Sequence, residues 1–313
     1  MGNDVSMIYT LTPNPAVDLN ESCDVVAADT VVRTRDAVFT PNGKGLNVAF
    51  TLRRFGVPTR ILGFFAGFTG DYIIAGAQRM GVSVIPVKCK GITRVNLFVS
   101  VGSGEEYKFV NEGAKIDATA EREMIETILD VADLSCLSIS GSMPPGASVD
   151  LLDRLVDAAR DRDAEVVLDT SSERLAELIR RRPLLIKPND DELRDVFGLD
   201  VRDDATARAA LARLHEMGAR NVLLTLGAHG AYFSDGSAIW HAVPAFEPMV
   251  LSTACAGDGA LGSFLSIWFA DRSRVEEALA LCQAVGANVV ESAGLGDFSC
   301  VEEYRSRICV RRL

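Results

Sequence analysis

The chain has 313 residues, 48% of them hydrophobic and 24% charged, with a formal net charge of −11 at pH 7. These values exclude a disordered chain and argue against a general nucleic-acid binder, which needs a basic face. A core of this size needs neither disulfide nor metal to hold it.

In chain order, apolar runs of strand length alternate with amphipathic stretches. The pattern predicts a strand at 7–11, a helix at 45–55, a strand at 59–65 and a helix at 70–80. A strand at 134–140, a helix at 149–160, a strand at 165–169, a helix at 173–180 and a strand at 184–187 follow. Helices at 190–197 and 204–217 and a strand at 221–225 complete the series. This β-α-β-α order argues for a mostly parallel sheet with helices on both faces.

Two regions, 25–40 and 93–110, break the rhythm with short strands and no helix between them. Gly102-Ser103-Gly104 marks a hairpin in the second. They are read as a small β-lid, discontinuous in sequence (about 20–40 and 92–112), added to one domain of residues 1–313. Val95, Leu97, Val99 and Val101 share a face of that lid, and an open apolar sheet face tends to find a partner.

Residues 248–270 carry one charge, Asp258. Their glycines and hydroxyl residues fit a buried strand–turn–helix better than a membrane span. No signal peptide is recognised at the N-terminus. Seven scattered cysteines without a C-x-x-C pair fit reduced thiols and a cytoplasmic location. The three histidines have no metal-ligand spacing.

In an open α/β sheet, ligands bind beyond the carboxyl ends of the strands. Polar or glycine clusters fall there: Asn14 to Asp18, Ser140 to Ser142, Asp169, Lys187 to Asn189, and Thr225 to Gly227. The sharpest motif is Cys255-Ala256-Gly257-Asp258 before a helical pattern. Amides at a helix start bind anions, and a carboxylate beside them serves as a base toward a hydroxyl attacking a phosphoryl group. The alternative is a plain helix cap at Asp258. Gly257, Gly259 and Gly262 also satisfy G-x-G-x-x-G, but too little chain follows for a dinucleotide fold. Asn189 and Glu192 lie at i, i+3 on one helix face, where they suit either a capping box or water-mediated Mg²⁺. Arg94 and Asn96 point the same way along one lid strand.

Taken together, "TPNPAVD" (12–18), "GKGLNVA" (43–49), "TRVN" (93–96), "NEG" (111–113), "SGSMPPG" (140–146) and "KPNDDEL" (187–193) resemble the PfkB family of carbohydrate kinases. The branch they are most similar to holds the 1-phosphofructokinases and tagatose-6-phosphate kinases. The resemblance implies a ribokinase-like, three-layer α/β/α fold with a β-lid. It implies ATP-dependent transfer to a hydroxyl of a ketohexose phosphate, with fructose 1-phosphate first and tagatose 6-phosphate or fructose 6-phosphate as alternatives.

The same resemblance implies roles. Asp258 is the base, and the amides of Cys255, Ala256 and Gly257 form the anion hole. Asp18 and Asn47 hold sugar hydroxyls, and Lys44 and Arg94 contact the sugar phosphate, with Gly43 and Ser140 beside them. Lys187, Asn189, Thr225, Gly227 and Gly230 line the ATP site, and Asn189 and Glu192 position Mg²⁺. K⁺ is left open as a third cofactor, because Val250 stands where a polar group is usual. The expected partners are a small sugar phosphate and a second copy paired through the lids, with no nucleic acid and no membrane. Asn42 and Cys255 each replace a usual glycine. Cys255 motivates a reading of another class, a catalytically weakened sugar-phosphate sensor.

Overall fold

The computed structural model describes residues 7–102, 104–292 and 294–313, so Ser103 of the expected 102–104 turn lies outside them. From the N-terminus run β1 (Ile8–Thr12), β2 (Ala16–Cys23), β3 (Arg35–Asn42), α1 (Lys44–Arg54), β4 (Thr59–Ala66), α2 (Gly67–Arg79) and β5 (Ser83–Cys89). Then come β6 (Arg94–Val101), β7 (Glu106–Phe109), α3 (Ala118–Asp130), β8 (Cys136–Ser140), α4 (Leu151–Arg160), β9 (Glu165–Asp169) and α5 (Leu175–Leu178). After β10 (Leu185–Ile186), α6 (Asp190–Phe197) and α7 (Asp204–Met217), the chain forms β11 (Val222–Thr225), β12 (Ala231–Ser234) and β13 (Ile239–Pro244). It ends with α8 (Ala256–Trp268), α9 (Val275–Val289), α10 (Val301–Arg305) and β14 (Ile308–Arg312).

The large sheet has the order β14-β13-β12-β11-β10-β9-β8-β1-β4-β5. From β11 to β5 every pairing is parallel, while β12, β13 and β14 add antiparallel strands at one edge. Side chains along a strand alternate between faces. In β9, Val166 and Leu168 pack with α3, α4 and α7, while Val167 packs with α1, α8 and α9 on the other face. In β11, Val222 and Leu224 take the first side and Leu223 the second. Both faces are therefore covered, which is why these strands read as continuous apolar runs. Burying each such Leu, Ile or Val stabilises the fold by about 1.5–3 kcal/mol relative to leaving it exposed.

The second sheet has the order β3-β2-β6-β7. It starts at Ala16 rather than near residue 20, and residues 24–34 are a loop rather than strand. β6 and β7 form the expected antiparallel hairpin. The lid face expected to be open is largely covered by this chain itself. Val99 and Val101 are buried with Cys23 and touch Val32 of the 24–34 loop, and Val95 packs with the α1–α2 cluster. In register across the four strands runs a row Phe39–Leu19–Leu97–Phe109, whose two phenylalanines are each 52% exposed while Leu97 packs against the Cys23–Val99–Val101 cluster.

The expected strand before α8 is absent. Met249, Val250 and Leu251 sit in an exposed loop tied to α9 by Leu251 N–H and Ser252 N–H donating to the Val290 carbonyl. Among the described residues, no helix is long and apolar enough to cross a membrane.

Candidate active site

The sheet order reverses at β1, whose chain continues to β4 on one side while β8 lies on the other. This is where an α/β sheet opens a crevice at its carboxyl edge. Ser140 ends β8 and pairs in register with Asp169, which ends β9. Lys187 follows β10, and Thr225 ends β11 and bridges to Asn189. The lid brings Asp18 and Arg94 over this edge from β2 and β6.

At the centre lies Asp169, fully buried. Lys187 Nζ is 3.1 Å and Lys44 Nζ 3.4 Å from its Oδ1, while Oδ2 has no hydrogen-bond partner among the described residues. Burial opposes its ionisation, but Lys187 and then Lys44 outweigh that and hold the carboxyl below its usual range. Lys44 Nζ also stands 3.6 Å from Glu192 Oε1. The partners of Lys44 are thus the acids of the β9–α6 side. Arg94 instead donates to the carbonyls of Asn14 (2.9 Å) and Asn111 (3.2 Å). The two cations read as one sugar-phosphate clamp have separate neighbours.

Asp258 lies in the first turn of α8, buried, and accepts a hydrogen bond from Asn47 Nδ2 at 2.9 Å. It is not the cap. Cys255 holds that position and makes no side-chain cap bond. Burial and, next, the negative Asp169 push its carboxyl well above the usual carboxylate range, against Lys44, Asn47 and Lys187. A carboxylate so raised is a better proton acceptor near neutrality than an ordinary one. Ahead of it, Lys187 lies close to the start of α8: a Cβ at Gly257 would come 3.3 Å from Lys187 Nζ. A helix start with an ammonium beside it is a setting that favours an anion.

On the lid side, Asn96 Nδ2 donates to Asp18 Oδ1 at 2.9 Å, and Asn42 Nδ2 to Asp18 Oδ2. Asn47 Nδ2 is 2.9 Å from Asn42 Oδ1. The two carboxylates, Asp18 and Asp258, are therefore joined through the amides of Asn42 and Asn47. Burial raises Asp18, opposed by Asn96, Asn42 and Arg94.

Asn189 and Glu192 form a full capping box on α6, with Glu192 N–H donating to Asn189 Oδ1 (2.7 Å) and Asn189 N–H to Glu192 Oε2 (3.2 Å). Glu192 Oε1 takes no part in the cap. No group of three or more His, Cys, Asp or Glu side chains is set to grip an ion among the described residues. The unpartnered Asp169 Oδ2 and the Glu192 Oε1 supply hard oxygens. They fit Mg²⁺, which keeps most of its waters and binds substrate phosphates with few protein ligands.

Gly43 is the N-cap of α1 at the end of β3. Gly227 is exposed at the start of a short 3₁₀ turn, while Gly230 is buried, where a Cβ would lie 2.1 Å from the Ala242 carbonyl. Gly230 is thus required by the β12–β13 packing. The G-x-G-x-x-G match falls inside α8, and a Cβ at Gly262 would meet Thr51 Cβ at 2.7 Å, so that glycine lets α1 and α8 approach. Sequence reasoning noted Asp169 as a polar strand end but gave it no role. Its signal was an acid closing the apolar run Glu165–Asp169 at the carboxyl edge.

A family model described as pfkB family carbohydrate kinase matches residues 7–302. The chain is 45% identical over 307 residues to a D-tagatose-1-phosphate kinase of Klebsiella oxytoca, covering 98% of this chain and all of the relative. It is 29% identical over 308 residues to a 1-phosphofructokinase of Bacillus subtilis, covering 98% and 100%. The crystal structure of phosphofructokinase-2 from Escherichia coli in complex with potassium superposes with a TM-score of 0.88 at 28% identity, covering 96% of this chain and 98% of that one.

Proposed function

The chain belongs to the pfkB family of carbohydrate kinases, with the ribokinase-like fold, and we propose that it carries the γ-phosphoryl group of ATP to the 6-hydroxyl of a ketohexose 1-phosphate. D-Tagatose 1-phosphate leads and D-fructose 1-phosphate comes second. The 45% identity to a D-tagatose-1-phosphate kinase, against 29% to the 1-phosphofructokinase of Bacillus subtilis, supports placing tagatose ahead of fructose.

The observation that carries the reading is Asp258, a buried carboxylate of raised basicity at the start of α8, where Lys187 lies close to Gly257. Asp258 accepts the proton of the attacking hydroxyl as the new O–P bond forms and the bond to the ADP oxygen breaks. The amides of Cys255, Ala256 and Gly257, with Lys187, meet the charge on the phosphoryl oxygens. Asp18, fixed by Asn42 and Asn96, holds sugar hydroxyls, and Arg94 meets the sugar phosphate. Thr225 and Gly227 border the nucleotide. Asn189, Glu192 and Asp169 would hold Mg²⁺, which would supply neutralisation of phosphate charge. The potassium complex of phosphofructokinase-2 supports K⁺ as a further bound cation here.

Two copies pair through the lids, along the Phe39–Leu19–Leu97–Phe109 row. Seven free thiols support a reducing, cytoplasmic setting. Release of ADP with a panel of ketohexose phosphates tests the reading. Turnover on a ketohexose 1-phosphate sustains it, and sugar binding without ADP release would favour the sensor instead.

A further inference from the structure

Two side chains at the junction of the sugar and phosphoryl halves of the cleft have no direct role toward substrate so far. Asn42 ends β3, and Cys255 starts α8. Asn42 Nδ2 donates to Asp18, and its Oδ1 accepts from Asn47 Nδ2 and from the Gly43 N–H. Cys255 Sγ lies 3.7 Å from Asn42 Nδ2 and 3.2 Å from Asn47 Nδ2. The Asn42 amide is thus oriented on both its donor and its acceptor side.

Cys255 is held at φ 64°, in the left-handed region. Glycine adopts that conformation freely, while a residue with a Cβ is strained there, and strain retained at a functional site points to the side chain. Redox or nucleophilic chemistry does not explain it. Burial, followed by the charge of Asp258, pushes the thiol up to about 12, so it stays protonated. What remains is contact: the thiol packs under the two amides and limits their rotation.

Ketohexose 1-phosphates that are epimers at C4 have the same charge, the same volume and the same groups. A pocket tells them apart only with a directional polar group held in fixed orientation near the ring hydroxyls. Asp18 accepts hydroxyls from either epimer. The Asn42 amide, beside it and locked, is the group with direction. We propose that Asn42, held in place by Cys255, is the specificity-determining residue that selects the C4 epimer, favouring tagatose over fructose configuration. This rests on the ketohexose 1-phosphate reading above.

The test is kcat/KM for D-tagatose 1-phosphate and D-fructose 1-phosphate, with the KM for ATP as an internal control. Wild type prefers the tagatose epimer, and Asn42→Gly lowers that preference by about ten-fold or more, while the ATP KM stays within about two-fold. Asn42→Ser, which keeps a polar but shorter side chain, gives the same fall, so poor folding of one variant does not decide the result. Cys255→Gly, which removes the strain as well as the thiol, lowers the preference part of the way without lowering the Tm. An unchanged epimer ratio in Asn42→Gly, even with both activities reduced, overturns the proposal and leaves the kinase reading standing. A wild type equally active on both sugars does the same. A wild type inactive on both 1-phosphates but active on a 6-phosphate overturns the substrate reading, and the proposal with it.

Discussion

Replacing Asp258 by Asn keeps the shape of the side chain and removes its charge. The residue is 6% exposed, and its nearest polar neighbour, Asn47 Nδ2 at 2.9 Å, still finds an oxygen to donate to. Folding is therefore preserved. The sign of the stability change follows from the raised carboxyl: the folded protein binds a proton at Asp258 more readily than the unfolded chain. That contribution is present at low pH and is lost as pH rises through the folded value. The neutral amide lacks this penalty, so the variant melts at or above the wild-type temperature near pH 8. Catalysis behaves oppositely. Loss of a general base lowers kcat by a factor of about 10²–10⁴, or about 3–5 kcal/mol of barrier. ADP release in a coupled assay measures kcat, and calorimetry confirms that ATP and sugar phosphate still bind. Wild-type kcat falls as pH drops through a limb lying above the ordinary carboxylate range, and the variant loses that limb. A kcat within about ten-fold of wild type would refute the assignment of Asp258 as base.

Asp169→Asn removes the buried carboxylate between Lys44 and Lys187 and is expected to cost about 3–5 kcal/mol in a denaturant titration. It also takes a negative charge away from Asp258, so the acid limb of residual activity moves to lower pH; an unmoved limb contradicts the coupling. Arg94→Ala raises the KM for sugar phosphate by about ten-fold, one lost charged hydrogen bond, and leaves the KM for ATP unchanged. Equal effects on both substrates contradict its place on the sugar side. Phe39→Asp with Phe109→Asp converts a dimer to a monomer by light scattering; a dimer that survives places the interface elsewhere.

The parallel body was legible because its strands are buried on both faces and so read as short apolar runs. β5 was not: Pro86 interrupts it, and a proline argues against a strand except at an edge. β5 is the edge of the large sheet, where Pro86 costs no ladder bond on its open side. β2 was hidden by function. Asp18 and Asn20 face the cleft side of the lid, so Ala16–Cys23 reads as a polar cluster rather than a strand. The reverse error occurred at 25–32 and 248–251. Their valines and leucine look like strand cores but lie in loops, with Val25, Val31, Met249, Val250 and Leu251 exposed and Val32 alone of the first group packed on the lid. In the site, spacing singled out Asp258 at a helix start and the Asn189–Glu192 pair, while Asn47 and Lys187 were picked out by the family resemblance; the structure brings Asn47 to Asp258 and Lys187 to Asp169. The Asn42–Asp18 contact was not legible, since it joins residues 24 positions apart on two strands and nothing in either segment announces the other.

The most direct test of the account is ³¹P NMR of the protein incubated with ATP, Mg²⁺ and D-tagatose 1-phosphate. The account predicts a ketohexose bisphosphate, with a second phosphomonoester resonance growing in step with ADP, and no such product from Asp258→Asn. ADP accompanied only by inorganic phosphate, or a bisphosphate formed at the wild-type rate by Asp258→Asn, would contradict it.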